Sequence, residues 1–235
     1  MDFQLLNLSK ECLICQSQLS PPSSPVKNLC QYCFQALEYN NQQCSLCDSP
    51  VTGGEICSNC QITRPIFDRN ISSMLYFGLG KRLLKRLKTD QEKKYLQLAT
   101  NLLTHKIQKE QLTFDYLTHA PRFRAREFNK LPPLTLNIGI EISKLIKTPF
   151  KPFLIKQIKD KPHQKTLNAK SRQAAVLNCY HCDYQLTGAS IGVIDDILTT
   201  GATMNALAKT LKDKGAKKIT SLTLARTPKM NHLNE

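Results

Sequence analysis

The chain runs to 235 residues, room for one medium domain plus a small appendage and enough length to bury a sizeable core. No apolar stretch approaches the roughly 20 residues needed to cross a bilayer, and residues 1–10 lack the basic and apolar regions of a secretory signal. The expectation is therefore a cytoplasmic protein with no membrane insertion. Its formal charge of +15 is unevenly spread. Residues 1–67 carry Lys10, Lys27 and Arg64 against Asp2, Glu11, Glu38, Asp48 and Glu55, a balance of −2 that leaves +17 for the remainder. A field of that sign and size points to a polyanionic partner, nucleic acid first among them, and places the attraction outside the front of the chain.

Eight of the ten cysteines lie in that front region, as Cys12/Cys15, Cys30/Cys33, Cys44/Cys47 and Cys57/Cys60. Two thiolates two residues apart in a knuckle turn can reach one tetrahedral ion, and two knuckles complete a structural zinc site. A redox-active Cys-x-x-Cys would need a βαβ context that is absent here. Residues 1–67 are thus expected to form a zinc-binding unit, and residues 68–235 a second domain. The knuckles can pair in sequence or crossed; either way gives two four-cysteine sites. Residues 21–25, Pro-Pro-Ser-Ser-Pro, read as a loop inside the first finger.

After Arg64-Pro65 the sequence predicts a strand over 72–77 and a helix from Lys81 to about Lys109, with Leu84, Leu87, Leu96, Leu98, Leu102 and Leu103 supplying its apolar face. The first turns of that helix present Lys81, Arg82, Lys85 and Arg86, either a solvated face or a phosphate-contacting one. A strand over 112–118 leads to a loop with Arg122, Arg124 and Arg126 interleaved with Phe123 and Phe128, residue types that contact phosphates and stack on bases. A helix over 138–146, a strand over 153–158 and a long Lys-rich loop over 159–172 follow. A strand over 191–194, a helix over 204–213 closed by Gly215 and a strand over 218–225 complete the chain. Strands alternating with helices predict a parallel sheet with helices on both faces. Cys179 and Cys182 read as free thiols, and His119 as a hydrogen-bonded polar residue rather than a catalyst.

Residues 193–203 carry the most specific signal. An apolar run delivers Asp195 and Asp196. Then come Thr199, Thr200 and Gly201, and a helix opening near Ala202 and Thr203. That order places backbone N–H groups and hydroxyls at a helix N-terminus, where the dipole favours a phosphate, while carboxylates can accept from both hydroxyls of a ribose. The loop resembles the phosphoribosyl-pyrophosphate (PRPP) loop of type I phosphoribosyltransferases.

With the knuckles in front, the whole chain resembles the ComF family of bacterial competence proteins, in which a Cys-rich region precedes a phosphoribosyltransferase-like domain. Leu87-Lys88 matches the family's "lK" signature, and Arg126-Glu127-Phe128-Asn129-Lys130 its R-G-F-N-Q element. Gln164 and Arg172 match its spaced Gln and Arg. Glu127, Lys130, His119-Ala120-Pro121, Lys156 and Ala175 depart from the pattern. The resemblance implies a type I phosphoribosyltransferase-like sheet whose ribose-phosphate loop is intact and whose pyrophosphate and lid elements have diverged. It implies handling of incoming single-stranded DNA during natural transformation, with the zinc region open to a competence helicase or translocation protein. The alternative is an active transferase of unknown acceptor, using Mg²⁺ with PRPP or ribose 5-phosphate.

Overall fold

The computed structural model describes residues 11–19, 21, 24–38, 42–89, 92–121, 133–159 and 178–228. Four parallel strands make the main sheet: β1 (Arg69–Leu75), β2 (Tyr116–His119), β5 (Ser190–Leu198) and β6 (Lys218–Arg226), in the order β1-β6-β5-β2. The two central strands are buried on both faces, and the buried hydroxyls of Ser221 and Thr223 in β6 pair with Asn70 and Ser72 of β1. Of β6, residues 219–226 are all buried. At Gly192 of β5 a side chain would meet Leu117 at 2.6 Å, so the strands on either side close only over a glycine.

Two apolar clusters flank the sheet. On one side Ile194, Leu222 and Leu224 join α3 (Gly78–Thr89), α4 (Lys93–Lys109) and α5 (Leu134–Leu145) through Leu84, Leu103 and Ile138. On the other, Ile191, Val193 and Ile219 join α6 (Ala202–Lys212) through Leu207 and Leu211. The α/β sheet with helices on both faces is therefore as expected. Two further helices, α1 (Gln31–Leu37) and α2 (Ser58–Ile62), belong to the Cys-rich region.

That region does not stand apart from the sheet. Cys12, Cys33 and Phe34 share the cluster of α3 to α5, whereas Cys44, Cys47, Cys57 and Cys60 share that of α6. The knuckle at 46–48 also covers the edge strand β1. The Asn70 amide donates to the Leu46 carbonyl at 2.8 Å, and the Ser72 amide to Asp48 Oδ2 at 2.6 Å. The opposite edge, β2, is covered by Pro149 to Lys151, with bonds in both directions to Leu117.

Several expected elements differ in detail. The predicted long helix is two helices, α3 and α4. A single one over 81–109 would extend about 40 Å, beyond the nine-residue strands of about 30 Å that it covers, whereas two can both lay leucines on the same face. The expected strand over 153–158 is only β3 (Lys156–Gln157), paired antiparallel with β4 (Tyr180–His181) outside the main sheet. The strand carrying the acids runs on to Leu198, so Asp195 and Asp196 lie within β5 rather than at its end. Helix α5 opens at Leu134, four residues before its expected start.

Candidate functional site

Leu198, Thr199 and Thr200 leave β5, and Gly201 turns the chain into α6 with φ 80°, the left-handed region that favours glycine. The Ala202 amide lies 3.4 Å from the Thr200 hydroxyl as its donor, and the Asn205 amide donates to the Gly201 carbonyl at 2.8 Å. The first-turn amides of α6 open at the carboxyl edge of the sheet, where open α/β sheets bind ligands. Just before the turn, the Asp196 amide donates to Asp195 Oδ1 at 2.8 Å and the Ile197 amide to Asp196 Oδ1 at 2.7 Å. The acid pair thus stands three residues before the turn, and the hydroxyls and helix amides follow it.

Three neighbours complete the surroundings, and two of them, Tyr180 and Arg226, carry no signal in the sequence. Lys88, at the end of the basic helix α3, pairs with Asp196 Oδ2 at 2.6 Å and so joins that helix to the acid pair. Tyr180 of β4 sits against Asp195 and Thr203; burial first, then the Asp195 charge, pushes its phenol well above the usual range. Arg226, at the end of β6, lies beneath the loop and is only 6% exposed. Its Nη1 donates to the carbonyls of Leu198 and Thr199, both at 2.7 Å, and its Nε to the Cys47 carbonyl at 3.0 Å. No local pattern marks Arg226, because Cys47 lies 179 residues away in sequence and Leu198 lies 28.

The eight front cysteines resolve into sequential pairs of knuckles, Cys12/Cys15/Cys30/Cys33 and Cys44/Cys47/Cys57/Cys60, with the sulfurs of each set within 4.8 Å of one another. Sulfurs held at about 2.3 Å from a tetrahedral ion are about 3.8 Å apart. The Cys15–Cys30 and Cys47–Cys57 sulfurs stand at 3.7 Å, so both sets fit zinc. Proton affinity within the sets is split. Hydrogen bonding to Ser17 lowers Cys15 to about 6, while burial raises Cys33 and Cys60. Burial also opposes ionisation of Cys44, yet the amides of Cys57, Cys47 and Leu46 bring it to about 7. Four adjacent thiols cannot all ionise without a cation between them, and a divalent ion supplies it. Cys179 and Cys182 are buried and belong to neither set.

Lys81, Arg82, Lys85 and Arg86 are all exposed on α3, with the Arg86 guanidinium 4.6 Å above the Tyr95 ring. Arg122, Arg124 and Arg126, with Gln164 and Arg172, lie outside the described residues. His119 is buried with its Nδ1 3.1 Å from the Thr135 hydroxyl, a structural contact in keeping with its polar reading.

The parallel sheet, the helices on both faces and the glycine turn at the end of β5 define an α/β protein with two four-cysteine sets at its front that could hold zinc. In sequence the chain is similar to competence protein F of Haemophilus influenzae, 22% identical over 228 residues that span 92% of this chain and 96% of that one. It is likewise similar to competence protein ComFC of Bacillus subtilis, 23% identical over 92% of this chain and 95% of the relative. The DNA utilization protein YhgH of Escherichia coli is 21% identical, over 85% and 90% respectively. The ComF resemblance read from the motifs therefore holds along nearly the whole length. No protein-family model matches the chain. Among solved structures, a purine phosphoribosyltransferase from Pyrococcus horikoshii superposes with a TM-score of 0.36 at 18% identity, covering 56% of this chain and 73% of that one. No helix among the described residues is long and apolar enough to cross a membrane.

Proposed function

We propose that this is a ComF-like competence protein that handles incoming single-stranded DNA in the cytoplasm. It does so with a basic phosphoribosyltransferase-like domain, residues 68–235, whose loop takes a ribose 5-phosphate group or PRPP with Mg²⁺. The observation that carries the reading is the pairing of Lys88 with Asp196. It ties the end of the exposed basic helix α3 to the acid pair that precedes the phosphate loop, which supports a reading in which a nucleic acid strand meets sugar, phosphate and cation together. In this reading Asp195 and Asp196 accept from ribose hydroxyls, and residues Thr199, Thr200, Gly201, Ala202 and Thr203 hold the phosphate. Lys81, Arg82, Lys85 and Arg86 contact the backbone, joined by Arg122, Arg124 and Arg126. The cysteine sets hold two structural zinc ions, and the surface of residues 1–67 faces a competence helicase or translocation protein.

The alternative is turnover: displacement of pyrophosphate from the anomeric carbon by an acceptor nucleophile. The complete acid pair followed by an intact Thr-Thr-Gly turn keeps it alive. One titration separates the two readings. Purified protein with PRPP and Mg²⁺, and separately with labelled single-stranded DNA, should bind both without releasing pyrophosphate. Release that depends on an added base would establish the transferase instead. Failure to bind either ligand would end both readings.

A further inference from the structure

Arg226 is a buried guanidinium with no carboxylate partner among the described residues. A buried charge of this kind is costly unless it is compensated. What faces it is the second cysteine set. Nη2 stands 3.7 Å from Cys47 Sγ, and Nε donates to the Cys47 carbonyl. On the other side Nη1 fixes the Leu198 and Thr199 carbonyls, the two residues from which the phosphate turn starts. A second strut runs alongside. Phe67, just after the set, would lie 3.5 Å from a side chain at Gly201, and the Ile66 amide donates to Asn205 Oδ1 of α6 at 2.8 Å. Among the described residues the first set makes no such connection; it shares the cluster of the helix layer on the sheet's opposite face.

We infer that Arg226 is a positioning residue coupling the second four-cysteine site to the phosphate loop, so that metal at Cys44/Cys47/Cys57/Cys60, and not at the first site, sets the loop's competence for ribose 5-phosphate. Charge and tethering link the two sites. Four thiolates around one zinc carry a formal excess of two negative charges, the counter-charge that a buried guanidinium requires. Without the metal, Cys47 is no longer tethered to Cys44, Cys57 and Cys60, and the carbonyl and sulfur that hold the guanidinium are free to move away from it. The guanidinium is then drawn toward water and releases the two carbonyls it holds. The inference rests on the loop reading proposed above.

Linkage makes it testable in both directions, because a ligand favoured by metal must favour the metal in turn. The full-length, zinc-loaded protein is mixed with an excess of chromogenic chelator, with and without ribose 5-phosphate, and zinc release is followed in time. Expected are two release phases, of which ribose 5-phosphate slows one by about tenfold and leaves the other unchanged. The slowed phase should survive in the Cys12→Ser/Cys15→Ser protein. In Arg226→Met it should lose its ligand dependence while zinc content stays the same, and ribose 5-phosphate should bind about tenfold more weakly. Arg226→Lys, which keeps the charge but not the fork, should recover part of the coupling. Ribose 5-phosphate that binds wild-type protein yet leaves both phases unchanged would overturn the coupling and spare the loop reading. Absence of ribose 5-phosphate binding to wild type by calorimetry would overturn the loop reading and the coupling with it.

Discussion

The two cysteine sets begin as the same object. In residues 11–18 and again in 43–50, the first cysteine amide donates to a serine carbonyl five residues on, at 2.8 Å in both cases. Gln16 and Asp48 both turn through positive φ, their amides returning to Cys12 and Cys44 at 2.9 Å. Each set is completed by a cysteine pair whose first member, Cys30 or Cys57, precedes a short helix. Yet Cys15 is exposed and Cys30 half-buried in the first set, whereas all four cysteines of the second are buried. One equivalent position shows why. Gln16 is exposed, while Asp48 reaches the Ser72 amide of the edge strand β1, and Cys47 beside it reaches Arg226. Identical metal chemistry is thus given different work by what surrounds it: one set anchors α1 to the helix layer, the other is built into the end of the sheet.

The comparison breaks most visibly if the two sites are removed one at a time. Structural zinc contributes about 10–16 kcal/mol in small metal-folded units, as much as an entire domain's stability of about 5–15 kcal/mol. Cys57→Ser/Cys60→Ser is expected to cost the α/β core, because the knuckle covering β1 and the Arg226 contacts go with it. Cys12→Ser/Cys15→Ser should leave the sheet folded with a lowered Tm. Circular dichroism melts with zinc counted per chain check this; equal losses in the two variants would mean that the sets are equivalent after all.

Next in size is the ligand surface that the second set adjoins. Asp195→Asn/Asp196→Asn should weaken ribose 5-phosphate by about tenfold or more per acid, with a near-native melt. The fold survives because an amide oxygen still accepts from the Asp196 and Ile197 amides, the bonds that hold these side chains within β5. Calorimetry showing unchanged affinity would leave the loop without a ribose-phosphate role.

A smaller effect concerns the basic face. Lys81→Ala, Arg82→Ala and Lys85→Ala together should weaken single-stranded DNA binding and flatten its salt dependence, by about 0.7 in the log–log slope for each phosphate that is no longer neutralised. Arg86 is left in place because its stacking on Tyr95 would confound the result. The same triple substitution should leave release of zinc from both sets unchanged. An unaltered slope, measured by fluorescence anisotropy across salt, would move the DNA surface elsewhere.

What the sequence made legible follows from how local each signal is. The order of apolar run, acid pair, Thr-Thr-Gly turn and helix is contiguous, and β5, the Gly201 turn and α6 follow it. Sequential pairing of the knuckles was one of two readings that spacing allowed, and packing on opposite faces of the sheet selects it. The break between α3 and α4 was hidden because leucines recur at helical spacing through both. That both helices lay their leucines into one cluster is a tertiary fact that the spacing does not carry. Arg226 and Tyr180 were invisible for the same reason, since their partners arrive from distant strands. Lys88 stood in plain view as part of a signature, but its role emerges only when α3 brings it to Asp196.

The smallest expected effect lies on the side of the first set. His105 of α4 packs edge-on against Phe34 of α1, with ring centroids 5.5 Å apart and planes at 74°. Burial there, with Lys109 and Lys106 nearby and only partly offset by Glu38, lowers the imidazole's proton affinity. A histidine that is harder to protonate when folded makes the unfolded chain the better proton binder, so stability rises with pH across its titration. The contribution is complete above the ordinary histidine value of about 6.5 and is lost as the pH falls from there toward the lowered folded value. Since Phe34 follows directly on Cys33, the loss should fall on the docking of α1 and leave the second set untouched. His105→Gln should therefore flatten the decline in Tm between about pH 7 and pH 5, without altering ribose 5-phosphate affinity at pH 7. A decline of the same steepness in the variant would assign the acid sensitivity to groups other than this histidine, and the first set's helix would then be docked independently of pH.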